Sequence, residues 1–186
     1  MDDKKRCSWC LKDDIYKDYH DNVWGIPEYD DQKLFEFLNL EGAQAGLSWY
    51  TILIRIENYR KAFRNWEVDR ILKMNEDDLE ELRNDPGIIR NRLKIQAVYT
   101  NAQAFQKMKE AGENFSEYLW SFVDGKPIVN DFKNLSEIPA QTELSVRLSK
   151  DLKKRGFKFV GPTIVYAFMQ AVGMVDDHVV TCWRRQ

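Results

Sequence analysis

Apolar positions recur at helical spacing along most of the chain. From Asp31 to Leu40 they fall at Leu34, Phe35, Phe37, Leu38 and Leu40, which predicts a helix. Leu47, Ile52, Ile56, Tyr59 and Phe63 keep nearly the same period and predict one helix from Leu47 to Phe63. Asn75, with Asp78 three residues on, reads as the N-cap of a helix that buries Leu79 and Leu82. Arg92 to Lys109 places Ile95, Val98, Tyr99, Ala102, Phe105 and Met108 on one stripe, and Phe115 to Phe122 forms a short aromatic helix. Leu144, Leu148 and Leu152 mark a helix that runs to Arg155 and stops at Gly156. Pro162 suits the first position of a last long helix ending near Gly173. No run alternates as a strand does. Asp124 to Gln141, with Pro127 and Pro139, reads as a connecting loop. The pattern therefore predicts an all-α fold.

A length of 186 residues suits one domain, or two small lobes sharing a core. Hydrophobic residues at 44% and charged residues at 31% are those of a soluble globular chain, and no apolar run approaches the roughly 20 residues that span a bilayer. The start, Met1 to Arg6, lacks the apolar stretch of a secretory signal, so a cytoplasmic location is expected. Nothing in the sequence signals an oligomer interface, and a monomer is the default. The net charge of −2 does not announce a nucleic-acid partner. Locally, Lys150, Lys153, Lys154, Arg155 and Lys158 form a basic strip, and Arg90, Arg92 and Lys94 a smaller group. Acidic residues gather instead at Glu76, Asp77, Asp78, Glu80 and Glu81. On charge alone these are solvated helix faces. A basic strip on a neutral protein still suffices to hold a phosphate backbone, because that contact is local.

The three cysteines, Cys7, Cys10 and Cys182, and the two histidines, His20 and His178, gather towards the two ends of the chain. An odd number of cysteines without a signal argues against a disulfide framework. His178 and Cys182 would share a face if the tail were helical. Two tetrahedral ligand sets stay open on spacing alone: Cys7, Cys10, His178 and Cys182, or Cys7, His20, His178 and Cys182. The alternative is that Cys7 and Cys182 are small buried hydrophobes and the histidines satisfy core hydrogen bonds. A zinc ion held by four protein ligands has no open position, so it would be structural, pinning ends that otherwise fray.

The first fifty residues are rich in aromatic walls: Trp9, Tyr16, Tyr19, Trp24 and Trp49. They suit either a core or a pocket. Glu41 sits between the apolar Phe37, Leu38 and Leu40 and the small Gly42, Ala43, Ala45 and Gly46. An acid there is poorly placed for a solvated face, and the small residues would let a ligand approach the backbone. The plain alternative is a helix-end glutamate pointing to water.

Six blocks, in order, resemble the 3-methyladenine DNA glycosylase I family. They are Tyr19-His-Asp-Asn-Val-Trp-Gly25, Leu40-Glu-Gly-Ala-Gln-Ala-Gly-Leu-Ser-Trp49, Gly87-Ile-Ile-Arg90, Leu119-Trp-Ser-Phe-Val123, Leu135-Ser-Glu-Ile-Pro139 and Leu152-Lys-Lys-Arg-Gly-Phe-Lys-Phe-Val-Gly161. The resemblance runs from Cys7 to Cys182. It implies the all-α, two-lobed fold of the helix-hairpin-helix DNA glycosylase superfamily, a single glycosylase domain over residues 1–186. It also implies one structural zinc ion joining the termini through Cys7, His20, His178 and Cys182, with Cys10 a bystander. A DNA-binding hairpin falls near residues 152–163, with Gly156, Lys158, Gly161 and Thr163 as its contacts. Phe159 stands where many superfamily hairpins carry a glycine. Glu41 is implied as the acid that reads the base, Tyr19 as its hydrogen-bonding neighbour and Trp49 as the stacking face, with Tyr16, Trp9 and Trp24 completing the pocket. Leu47 is the candidate wedge for the gap left by a flipped base.

The implied activity is monofunctional hydrolysis of the N-glycosidic bond of 3-methyladenine in alkylated double-stranded DNA, with the free base as product and no strand cleavage. The chemistry suits the residues. A methylated purine is cationic, and cations favour carboxylates and aromatic faces. Asp176 has two open roles. The superfamily carries a catalytic aspartate in a comparable Val-Asp-x-His context, whereas its place beside His178 suits an aspartate that orients a metal ligand, and the second role is preferred. Two other classes compete: a zinc-stabilised helical module that binds without chemistry, and a hydrolase with a catalytic zinc.

Overall fold

Among the described residues, seven of the ten helices open on a side chain that caps them, and the caps set most of the architecture. The computed structural model describes residues 3–185. Asp13 opens α1 (Asp14–Asn22) and Asp30 opens α2 (Asp31–Gln44), each accepting the backbone N–H three residues on. Ser48 does the same for α3 (Trp49–Leu53), which is followed by α4 (Ile56–Ala62) and α5 (Val68–Ile71). Asn75 and Asp78 form a complete capping box at α6 (Glu76–Asn84). Asn91 caps α7 (Arg92–Glu110) and Asn114 caps α8 (Phe115–Trp120). Thr142 and Ser145 form a second box at α9 (Glu143–Lys154), and α10 (Pro162–Ala171) begins at Pro162 with no capping side chain.

Helix α2 is the hub. Every residue from Leu34 to Ala43 is buried, because α10, α7, α8 and α3 all pack on it. A helix covered on all sides has no solvated stripe. The polar residues in that run therefore need internal partners or a cavity. Glu36 finds Arg60 at 2.7 Å, and Asn39 finds Asn101 at 2.8 Å. One continuous apolar core extends from Cys7 to Cys182. No helix among the described residues is long and apolar enough to cross a membrane.

The structure corrects the expected elements in four places. The single helix from Leu47 to Phe63 is two, α3 and α4. Gly46 takes a left-handed φ of 77°, Ser48 restarts the helix, and Arg55 leaves helical geometry while its guanidinium caps the Thr51 carbonyl at 2.8 Å. The expected absence of strands also fails. Ile128–Val129 (β1) pairs in parallel with Val175–Asp176 (β2), a ladder too short to show alternation. The connecting loop from Asp124 to Gln141 is thus tied to the tail. Finally, the His178–Cys182 segment is not helical, and Arg155 is withdrawn from the basic strip. Its guanidinium binds Asp151 and Glu113 and lies 4.2 Å over the Tyr118 ring.

Candidate active site

The last buried acid of α2 faces a cavity. Glu41 is 4% exposed and lines a hollow of about 330 Å³ together with Trp9, Tyr16, Tyr19, Trp24 and Trp49. Every residue expected as a pocket wall is brought to this one place. Trp9 packs edge-on to Tyr16 at 5.0 Å and to Trp24 at 5.1 Å, and Tyr19 leans on Trp49 at 5.3 Å. The aromatic walls come from the Ser8–Cys10 turn, α1 and the turn after it, and α3, with Glu41 on α2. The Trp49 indole N–H is buried without a partner.

Burial pushes the Glu41 carboxyl up to about 8, with no cation offsetting it. The Tyr19 phenol rises too, by burial first and then by the proximity of Glu41 and Tyr16. Gln44, Leu135, Ile138, Ala167 and Gln170 complete the lining and were not singled out as site residues from the sequence. Leu135 and Ile138 come from the segment read as a mere connection, which only its tie to the tail carries over the cavity. Three other hollows are larger, at about 530, 490 and 480 Å³, and the second of them shares Tyr19 with this one. The acids of the second are occupied, Glu57 by Arg60 and Glu28 by Lys33. In the first, Asp31 accepts the backbone N–H of Ser116, and Glu113 holds Arg155.

Behind the aromatic wall lies a second polar cluster. Ligand atoms of Cys7, His20 and Cys182 all lie within 4.8 Å of one another, and all three residues are buried. His20 Nε2 is 3.4 Å from Cys182 Sγ, while its Nδ1 meets Asp21 at 2.8 Å, and Arg6 grips Asp21 in turn. His178 repeats the arrangement: its Nδ1 meets Asp176 at 2.7 Å and its Nε2 is buried with no partner. In both histidines a carboxylate occupies Nδ1 and leaves Nε2 to bind, as metal-ligating imidazoles do. Gly25, at a φ of 77°, is required here, since a Cβ would sit 2.7 Å from His178 Cε1. Cys182 is held well below the ordinary thiol range by a hydrogen bond from Cys7 and then by His20. Cys10 stays outside the cluster. Its Sγ bonds the Cys7 carbonyl at 3.1 Å, and burial pushes its thiol up to about 11. Trp9 and Trp24 separate cavity and cluster, Trp9 lying 5.3 Å from His20 and Trp24 lying 4.6 Å from His178.

The expected hairpin contacts do not line the cavity. Gly156 (φ 101°) ends α9, and Gly161 precedes α10 with open space where a Cβ would be. Lys158 and Thr163 are exposed, and the first N–H groups of α10 have no side-chain cap. Leu47 does not line the cavity. It is 39% exposed on the turn that leaves α2 directly after the cavity-lining Gln44. Asp176 is buried in β2, bonded to His178 and not among the cavity residues.

Comparison with known proteins gives a consistent picture. A family model described as methyladenine glycosylase matches residues 9–185. The chain is 54% identical over 178 residues to DNA-3-methyladenine glycosylase 1 of Escherichia coli (strain K12), covering 96% of this chain and 95% of the relative. It is similar to a crystal structure of 3-methyladenine DNA glycosylase I with a TM-score of 0.96 at 51% identity, over 98% of this chain and 100% of that one. It is also similar to the Staphylococcus aureus 3-methyladenine DNA glycosylase I, a structure described for its recognition of 3-methyladenine. There the TM-score is 0.93 at 40% identity, over 97% and 96% of the two chains.

Proposed function

The chain belongs to the methyladenine glycosylase family, and on that premise we propose that it hydrolyses the N-glycosidic bond of 3-methyladenine in alkylated double-stranded DNA, releasing the free base in base excision repair. The observation that carries this reading is Glu41, a buried acid without a counter-ion at the wall of an aromatic cavity. An empty cavity keeps Glu41 largely protonated at neutral pH. A cationic purine swung out of the duplex reverses that balance, drawing the carboxylate form against itself and releasing a proton to solvent. A neutral purine offers no such gain. Tyr19 hydrogen-bonds the base and Trp49 stacks on it, with Trp9, Tyr16 and Trp24 excluding water. Stacking returns roughly 1–3 kcal/mol per base, which offsets the few kcal/mol needed to extrude it.

The lesion carries its own leaving ability. As the bond from C1′ to the purine nitrogen breaks, its electron pair cancels the charge on the purine. Water oxygen bonds C1′ of the cationic sugar, and its proton leaves to solvent. No lysine lines the cavity, which supports hydrolysis without a Schiff base and hence without strand cleavage. The DNA is held by the hairpin near residues 152–163, through Gly156, Lys158, Gly161 and Thr163, with α10 offering uncapped N–H groups to a phosphate. Leu47 acts as the wedge.

Cys7, His20, His178 and Cys182 hold one zinc ion, a donor set of two thiols and two imidazoles that suits that metal. Supporting this are the clustered Cys7, His20 and Cys182 and the unpartnered Nε2 of His178. Four protein ligands close the ion's coordination, so it contributes folding free energy and no chemistry. Asp176 orients His178 rather than stabilising the sugar, as their 2.7 Å contact supports. The reading is of a single glycosylase domain of the helix-hairpin-helix superfamily acting as a monomer. Thiol ligands of this kind suit the reducing cytoplasm.

Incubating the protein with duplex DNA treated with a methylating agent tests the reading. Free 3-methyladenine in the supernatant is expected, and its absence with folded, metal-loaded protein overturns the proposal.

A further inference from the structure

The turn between α9 and α10 has a strained backbone. Phe159 takes a φ of 54°, a conformation that costs a side-chain-bearing residue about 1–2 kcal/mol. Buried polar side chains from elsewhere in the chain hold it there. Asn101, on α7 and 2% exposed, engages both backbone groups of Lys158. Its Oδ1 accepts the Lys158 N–H at 2.7 Å, and its Nδ2 donates to the Lys158 carbonyl at 3.2 Å. The same Nδ2 donates to Asn39 Oδ1 at 2.8 Å, and Asn39 Nδ2 donates to the Phe35 carbonyl at 2.8 Å. On the other side of the turn, Ser149 Oγ donates to the Val160 carbonyl at 2.6 Å. Gly42 on α2 completes the clamp, because a Cβ there would come within 3.1 Å of Phe159 Cβ and 3.3 Å of its carbonyl oxygen.

These contacts are not needed to close a helix–turn–helix. They fix the turn onto α2, within three residues of Glu41, while the Lys158 side chain remains exposed. We propose that the buried Asn39–Asn101 pair is a positioning device that locks the strained Lys158–Phe159 turn onto α2 and so sets the hairpin in register with the base cavity. Neither asparagine touches substrate. They act through the backbone of the turn, in the way a supporting layer of hydrogen bonds holds a working group in place. The inference rests on the hairpin being the DNA grip, and deepens that reading.

The test reads duplex binding and free-base binding separately. Asn101→Ala is expected to weaken binding of unmodified duplex DNA about tenfold and to lower the slope of log affinity against log salt by about 1, the loss of one phosphate contact. Affinity for free 3-methyladenine, followed by tryptophan fluorescence, stays within about twofold of wild type. Asn39→Ala moves the same two readouts in the same directions. Asn101→Ser, a milder change that keeps a short polar group but breaks the carboxamide pair, shifts duplex binding about threefold and serves if either alanine variant fails to fold. Unchanged duplex affinity and salt slope in the folded variants overturn the proposal. So does a parallel loss of free-base affinity, which marks general loosening of α2. Should wild type bind duplex and free base but release no 3-methyladenine, the glycosylase reading fails while the clamp is still decided by these measurements.

Discussion

Two buried polar regions lie back to back across Trp9 and Trp24, and they treat their acids in opposite ways. At the terminal cluster every carboxylate is engaged. Asp21 is gripped by Arg6 and His20, Asp176 by His178, and Asp177 by Tyr166, Gln170 and Asn130 at 2.6, 2.8 and 2.7 Å. At the cavity Glu41 has burial without compensation. A fold that satisfies its structural acids so fully leaves an unmet one only where something else is to meet it. The cluster is therefore read as stability, and the cavity as function held at a cost to stability.

Removing metal is the largest expected perturbation of that contrast. If the cluster holds the proposed zinc, Cys182→Ser or a strong chelator should strip it and lower Tm by more than about 10 °C, since structural zinc supplies on the order of 10 kcal/mol. Metal analysis and calorimetry check it. Stoichiometric zinc retained by the variant would separate Cys182 from the site.

Next in size is Asp177→Ala. It leaves the Tyr166 hydroxyl and the Gln170 and Asn130 amides without their acceptor, and should cost about 3–5 kcal/mol, near 10 °C in Tm. Release of 3-methyladenine per folded molecule should fall by no more than about threefold, because Gln170 alone of the three lines the cavity. A larger selective loss of activity would mean the two regions are not separable.

Glu41→Gln keeps the shape and removes the charge. Release of 3-methyladenine from methylated duplex should fall roughly 100-fold, the value of a hydrogen bond to a charged group. Wild-type activity would place the base elsewhere.

The last effect concerns pH. The folded Glu41 pKa, about 8, lies above its ordinary value of 4.5, so the folded state binds the extra proton between those limits. Stability should therefore fall as pH rises from about 4.5 to 8, and Glu41→Gln should remove that component, raising Tm at pH 8 by up to about 10 °C. A variant no more stable than wild type at pH 8 would show that Glu41 is not desolvated. In one substitution, activity and stability are expected to move in opposite directions.

Much of this was legible before the fold. The caps at Asn75, the stop at Gly156 and the start at Pro162 involve neighbours along the chain, and each stands where its sequence signal puts it. Glu41 stood out because an acid between large apolar and small residues has no solvated face to occupy. The break within Leu47–Phe63 was not legible. Hydrophobic spacing runs through it, and only the chain's path around α2 requires the turn at Arg55.

The amino-acid sequence by itself determined most of the helices, the family and the identity of the residues capable of binding a cation or a metal, because periodicity, capping and donor chemistry are local properties. The tertiary structure alone decided which of them act together. It set His20 rather than Cys10 beside Cys182, 162 positions away, it brought Leu135 and Ile138 over the cavity, and it left Glu41 without a partner while giving Asp177 three. Burial and pairing depend on residues far apart in the chain, and no local pattern encodes the distance between them.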